Sequence, residues 1–155
     1  MRTIKFRGQR TDTKEWVYGY YYKGHRDDVK NIPLSKHRLF DCIITKEGKI
    51  FDVLFKTIGQ FTGLKDKNGK EIYEGDIIKV YFLNSGDRSP RSQNIEVKYN
   101  SDCAKFEPEF YFEKYRRTND ICSVGINASG YLLGSLTAIE VIGNIYENKE
   151  LLEVY

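Results

Sequence analysis

The sequence predicts a mainly β fold with little helix, divided into two small β units, and three observations carry that expectation. Short runs of β-branched and aromatic residues alternate with polar ones at the period of two that a half-buried strand requires. Compact turns rich in Gly, Asn and Asp separate the runs, as in Asp66-Lys67-Asn68-Gly69, where Asn and Gly accept the positive φ that a hairpin demands. No stretch sustains the apolar period of a long helix.

Taken in order, Ile4 and Phe6 alternate with Lys5 and Arg7 as a first strand, and Gly8 permits a bulge or a close backbone approach. Thr11-Asp12-Thr13-Lys14 is turn chemistry, and Trp16 to Lys23 is almost entirely β-forming. On that strand Trp16, Tyr18, Tyr20 and Tyr22 share one face, with Val17, Gly19 and Tyr21 on the other. Gly24 to Lys36 reads as a polar loop followed by a short edge strand around Asn31 to Leu34. Phe40 to Thr45, the turn Lys46-Glu47-Gly48-Lys49 and Ile50 to Ile58 read as a hairpin, with a short helical turn over Asp52 to Lys56 as the alternative.

Beyond Asp66 to Gly69, the order Glu74-Gly75-Asp76 makes a second turn feeding the strand Ile77 to Val80. Asn84 to Ser92 lacks apolar residues and reads as an exposed loop prone to disorder. Two strands follow around Ile95-Val97-Tyr99 and Phe106-Phe110-Phe112, then a charged loop over Glu113 to Asp120 and a hairpin about Asn127 to Gly130. Ile139 to Tyr146 is the closing strand, and the tail forms one helical turn or an arm onto a neighbouring subunit.

An internal echo supports the division in two. Phe6-x-Gly8, Lys14-Glu15 and Gly19 recur as Phe61-x-Gly63, Lys70-Glu71 and Gly75, and Ile58-Gly59-Gln60 is matched by Ile142-Gly143-Asn144. A duplicated small β unit, with its second copy enlarged by an insertion, accounts for the echo; chance similarity between two Gly-rich turns also does. The expected boundaries are 1–62, 63–148 and a tail at 149–155.

Four separated motifs, IKFRGQR, EWVYGYY, IGQFTGLKDKNGKEIYEGDIIKV and IEVIGNIYEN, occur in that order. Together they resemble the YopX family of phage and prophage proteins. The resemblance implies small SH3-like β-barrel units and a phage setting in the host cytoplasm, and it brings no catalytic residues with it.

Composition narrows the remaining choices. In 155 residues, 40% apolar and 14% aromatic content is enough for a packed core, and the charged 30% nearly cancels to +3, a weak basic bias for a dedicated duplex binder. Cys42, Cys103 and Cys122 are odd in number and widely spaced, so neither a disulfide framework nor a zinc ribbon is written here. The first residues have no apolar signal core, and no window approaches the roughly 18 apolar residues of a spanning helix. A soluble cytoplasmic protein is expected.

For catalysis the chain offers few parts. His25 and His37 lie in polar surroundings without a nucleophile motif, and His37 with Asp41 and Cys42 matches no metal-ligand spacing. Asp66-x-Asn68-Gly69 resembles the middle of a calcium loop, but Gly75 stands where the last acidic ligand is required. Asp66, Asn68, Gly69, Gly75 and Asp76 are therefore read as structural turn residues, with the carboxylates bonded to nearby backbone N–H groups. Neither a metal nor a cofactor is expected.

The binding candidates are Trp16, Tyr18, Tyr20 and Tyr22 with the basic residues Lys23, Arg26, Arg116 and Arg117. If exposed, the rings suit base stacking. The simpler expectation is that the stripe is core, because a strand of a small barrel must put one face inside. The function expected on these grounds is a non-enzymatic phage accessory module acting through protein contacts, as a homo-oligomer or on a host or phage protein. The alternative is a nucleic-acid-binding accessory protein.

Overall fold

The computed structural model describes residues 3–25, 39–82, 91–101, 105–108 and 139–152. It is mainly β, with ten strands and two short 3-10 turns among those residues. The chain divides into two compact units, residues 1–61 and 62–155. The strands form two antiparallel sheets, without a closed barrel among the described residues. Among the described residues no helix is long and apolar enough to cross a membrane.

In the first unit β1 (Phe6–Gln9) pairs with β2 (Trp16–His25), β2 with β3 (Leu39–Ile44) and β3 with β4 (Ile50–Asp52). The other edge of β1 takes the start of β5 (Gly59–Lys65). Strand β4 stops at Asp52, shorter than the Ile50 to Ile58 strand expected, and a 3-10 turn over Phe55–Thr57 follows. Hydrogen bonds to β1 explain the stop. Thr11 N donates to the Asp52 carbonyl, Leu54 N donates to the Gln9 carbonyl, and an isolated bridge joins Arg10 to Val53. The Thr57 hydroxyl closes the bend by donating to the Leu54 carbonyl at 2.7 Å while accepting the Gln9 N–H at 2.9 Å. The β1–β2 turn is held by Arg10, whose guanidinium donates to both Asp12 carboxylate oxygens, at 2.9 and 2.6 Å.

The buried face of this unit is made by Gly8, Ile43 and Val53, with Phe6 and Tyr21 partly covered and their rings 5.7 Å apart. At its edge the Tyr21 hydroxyl donates to Asp41 Oδ1 at 2.6 Å. That bond, followed by burial, pushes the Tyr21 phenol up to about 12 from its ordinary 10.0. A folded-state pKa above the unfolded one favours the fold while the group stays protonated. The contribution is therefore complete below about pH 10 and disappears as pH rises through about 12. Ring-selective NMR titration is expected to show Tyr21 ionising later than an exposed tyrosine, and Asp41→Asn to bring it back towards the ordinary value. An unchanged midpoint in that variant would refute the role given to Asp41.

The second half of β5 lies beside β6 (Glu71–Tyr73), and the remaining strands run in the order β10-β7-β8-β9. These are β7 (Asp76–Phe82), β8 (Arg91–Asn100), β9 (Lys105–Pro108) and β10 (Ile139–Asn144). Ile72, Ile78, Val80, Ile95, Val97, Ile139 and Val141 form one buried cluster, with Leu64 and Phe106 packed on it. Alternation accounts for it: Ile78 pairs with Ile95 and Val141, so one row crosses three strands on the same face. The tail turns once as a 3-10 segment over Lys149–Leu152, and Asn94 Nδ2 on β8 donates to the Leu151 carbonyl at 2.8 Å. Those tail residues thus pack on their own unit. The expected edge strand near Asn31, most of the Asn84 to Ser92 loop, the charged loop after Glu113 and the hairpin about Asn127 lie outside the described residues.

Candidate functional site

Two places were marked by the sequence, the turns about Asp66 and Asp76 and the aromatic stripe of β2. At the first turn the buried Asp66 carboxylate accepts three backbone N–H groups. Oδ1 takes Asn68 N at 2.8 Å and Lys70 N at 2.9 Å, and Oδ2 takes Val141 N at 3.0 Å. Lys67 Nζ reaches Glu140 at 2.7 Å, and this bond holds the Glu140 carboxyl below its usual range. Gly69 has φ +82° and closes the turn by donating to the Asp66 carbonyl at 3.0 Å.

At the second turn buried Asp76 accepts Tyr73 N at 2.8 Å, and Glu71 accepts the Tyr73 hydroxyl at 2.8 Å. Gly75 sits at φ +79° with the Tyr146 ring 3.1 Å from where a Cβ would stand, so both conformation and space select glycine there. Both aspartates are bonded to backbone N–H groups, and Asp66 additionally ties its turn to β10. Among the described residues no group of three or more His, Cys, Asp or Glu side chains could hold a metal ion. Asp41 and Cys42 are neighbours on β3 and point to opposite faces; Cys42 Sγ lies 3.5 Å from Asp52 Oδ1.

The stripe of β2 differs from the expectation of a core face. Tyr18, Tyr20 and Tyr22 are 49%, 62% and 53% exposed. Core packing is supplied by the opposite face, whose Ile43 and Val53 are buried, so the tyrosines are left outward. Trp16 at the head of the stripe is only half-buried, and the Arg7 guanidinium lies over its ring at 4.7 Å.

Register names the neighbours on this face. On the β1 side Tyr18 stands opposite Arg7 and Trp16 opposite Gln9. Lys5 follows in the same alternation, its ammonium 4.7 Å over the Phe61 ring. On the β3 side Tyr20 stands opposite Ile44, itself opposite Ile50, which is 64% exposed. Tyr22 stands opposite Cys42, and that residue opposite Asp52.

Of the basic residues grouped with the stripe, Lys23 is on the other face. Its ammonium lies 3.9 Å from Asp41 and 5.4 Å over the Phe55 ring. Arg26, Arg116 and Arg117 lie outside the described residues. The cations that do share the face of the tyrosines, Lys5 and Arg7, were within reach of sequence reasoning, since they alternate with Ile4 and Phe6 in the first strand. Choosing them needed the β1–β2 register, which composition does not contain.

A crystal structure of protein EF1440 from Enterococcus faecalis is similar to this chain, at 28% identity, with 98% of this chain and 99% of that one covered and a TM-score of 0.48. No curated protein matches the chain. The family model described as YopX protein matches residues 5–153. With nearly the whole sequence matched, from the first strand to the tail, the chain belongs to the YopX family.

Proposed function

We propose that this protein is a non-enzymatic phage or prophage accessory protein of the host cytoplasm that binds single-stranded nucleic acid on the tyrosine face of β2. The observation that carries the reading is the exposure of Tyr18, Tyr20 and Tyr22 along one strand. Exposed rings on a small β scaffold stack bases without regard to sequence, at about 1–3 kcal/mol per base. The phage setting rests on the family. Two SH3-like units belong to the same proposal, supported by the antiparallel run β1 to β4 and by the bridge from Arg10 to Val53 that brings the chain after β4 back to β1. Duplication of the unit is supported by the matched motifs Phe6-x-Gly8 on β1 and Phe61-x-Gly63 on β5.

A second reading, self-association or docking on a host or phage protein, is favoured by one observation. Tyr20, Ile44 and Ile50 form an apolar row across three strands, ending in an exposed isoleucine, and apolar and aromatic rows of this kind anchor protein interfaces.

Trp16, the sole tryptophan, reports on both. Titration with single-stranded DNA, RNA and duplex DNA is expected to quench its emission, with an affinity that falls as salt rises. The folded variant Tyr20→Ala with Tyr22→Ala is expected to bind at least tenfold more weakly. Silence in that titration, joined to salt-insensitive self-association abolished by Tyr20→Glu, would replace the first reading by the second.

A further inference from the structure

We infer that the bound strand lies extended along β2 with one base on each of Tyr18, Tyr20 and Tyr22, and with its phosphates over β1 and not over β4. The inference rests on the single-strand reading and specifies the ligand's path. Spacing is the first argument. Alternate residues of a strand are about 6.8 Å apart, twice the roughly 3.4 Å that separates stacked nucleotides of one duplex strand. Three rings at that interval are served only by a strand whose bases have been unstacked, so a duplex does not fit them.

Area is the second argument. Three tyrosines about half exposed, with Trp16, Ile44 and Ile50 on the same face, present several hundred Å², below the roughly 800 Å² per partner of a stable protein interface. The face suits a narrow ligand better than a second copy of the chain.

Charge decides which way the backbone lies. The β1 side of the rings carries Lys5 and Arg7, while the β3–β4 side carries Cys42, Ile44, Ile50 and Asp52. Among the described residues the cations on this side are Arg7, buried against Trp16, and Lys5, whose ammonium stands over the Phe61 ring, and together they raise the local potential over β1. Asp52 repels phosphates from the opposite side. Among the described residues the next cations there, Lys46 and Lys49, stand in the exposed turn joining β3 to β4.

The test is fluorescence anisotropy of labelled oligothymidylates of increasing length, and of a blunt duplex, against the full chain over a salt series. Lys5→Gln is expected to weaken binding severalfold and to flatten the slope of log affinity against log salt by about 0.7, the value of one lost single-strand phosphate contact. Lys5→Arg is expected to keep the slope, and Lys49→Gln to leave it unchanged. A flattened slope in Lys49→Gln with none in Lys5→Gln overturns the backbone placement while leaving the single-strand reading intact. Duplex binding as tight as single-strand binding overturns the extended path. No binding of any oligonucleotide by the wild-type chain overturns the reading beneath it.

Discussion

Replacing Asp66 by alanine is expected to remove about 3 kcal/mol of stability, lowering the thermal midpoint by about 10 °C. The carboxylate accepts Asn68 N, Lys70 N and Val141 N from a buried position. Alanine leaves those donors without their acceptor, and a buried N–H left unpaired costs about 1–3 kcal/mol. Asp66→Asn discriminates this from a loss of charge alone. An amide offers one oxygen and one NH2, so whichever way it is turned, a donor faces either Val141 N or the pair on the turn. Asparagine is therefore expected to recover only part of the loss. Lys67→Ala, which breaks the nearby pair with Glu140, is expected to change stability little, because surface pairs contribute little. Chemical denaturation of the three variants checks the ranking; an Asp66→Ala protein as stable as the parent sinks the account of this turn.

The second large effect is expected from Gly19→Ala in β2. A Cβ there would overlap the Ile44 carbonyl oxygen and crowd Thr45 Cα at 3.0 Å. Both atoms belong to backbone, which cannot swing aside as a side chain can. The β2–β3 ladder begins at the next pair, Tyr20 with Ile44, so any relief shifts the register that sets the tyrosine face outward. A loss of about 3 kcal/mol is expected, with faster hydrogen exchange at the β2 and β3 amides. If those amides keep their protection and the loss stays below about 1 kcal/mol, the close approach is looser than the structure has it.

The strands were legible because alternation and turn chemistry are local. Phe6, Trp16 to Lys23, Ile77 to Val80, Ile95 to Tyr99 and Ile139 all lie in the strands where the pattern placed them. The turn roles of Asp66 and Asp76 were legible for the same reason, since two of the three Asp66 acceptances and that of Asp76 are within four residues. What was not legible depended on distant chain. The third Asp66 bond reaches Val141, and β4 stops at Asp52 because β1 claims the residues after it. The side of β2 that becomes core was misjudged on similar grounds. The face of Trp16, Tyr18, Tyr20 and Tyr22 has far more apolar surface than that of Val17, Gly19 and Tyr21, and only pairing with β3 and β4 puts Ile43 and Val53 behind Tyr21. The internal echo is uneven in geometry too: Gly63 and Gly75 have positive φ, whereas their counterparts Gly8 and Gly19 do not.

The bond from Val141 to Asp66 spans 75 positions, which bears on how the chain is made as much as on how it is held. A ribosome delivers a nascent chain at about 5–20 residues per second, so β7 emerges several seconds before β10, the strand that must complete its sheet. Until β10 arrives, Ile78 and Val80 lack the neighbours Val141 and Ile139. The first unit has no such wait, since the partners of β1 to β4 all lie within residues 1–61. Translation thus delivers a unit able to fold early, followed by a sheet with one edge open. That interval is when the nascent chain most needs protection from its neighbours.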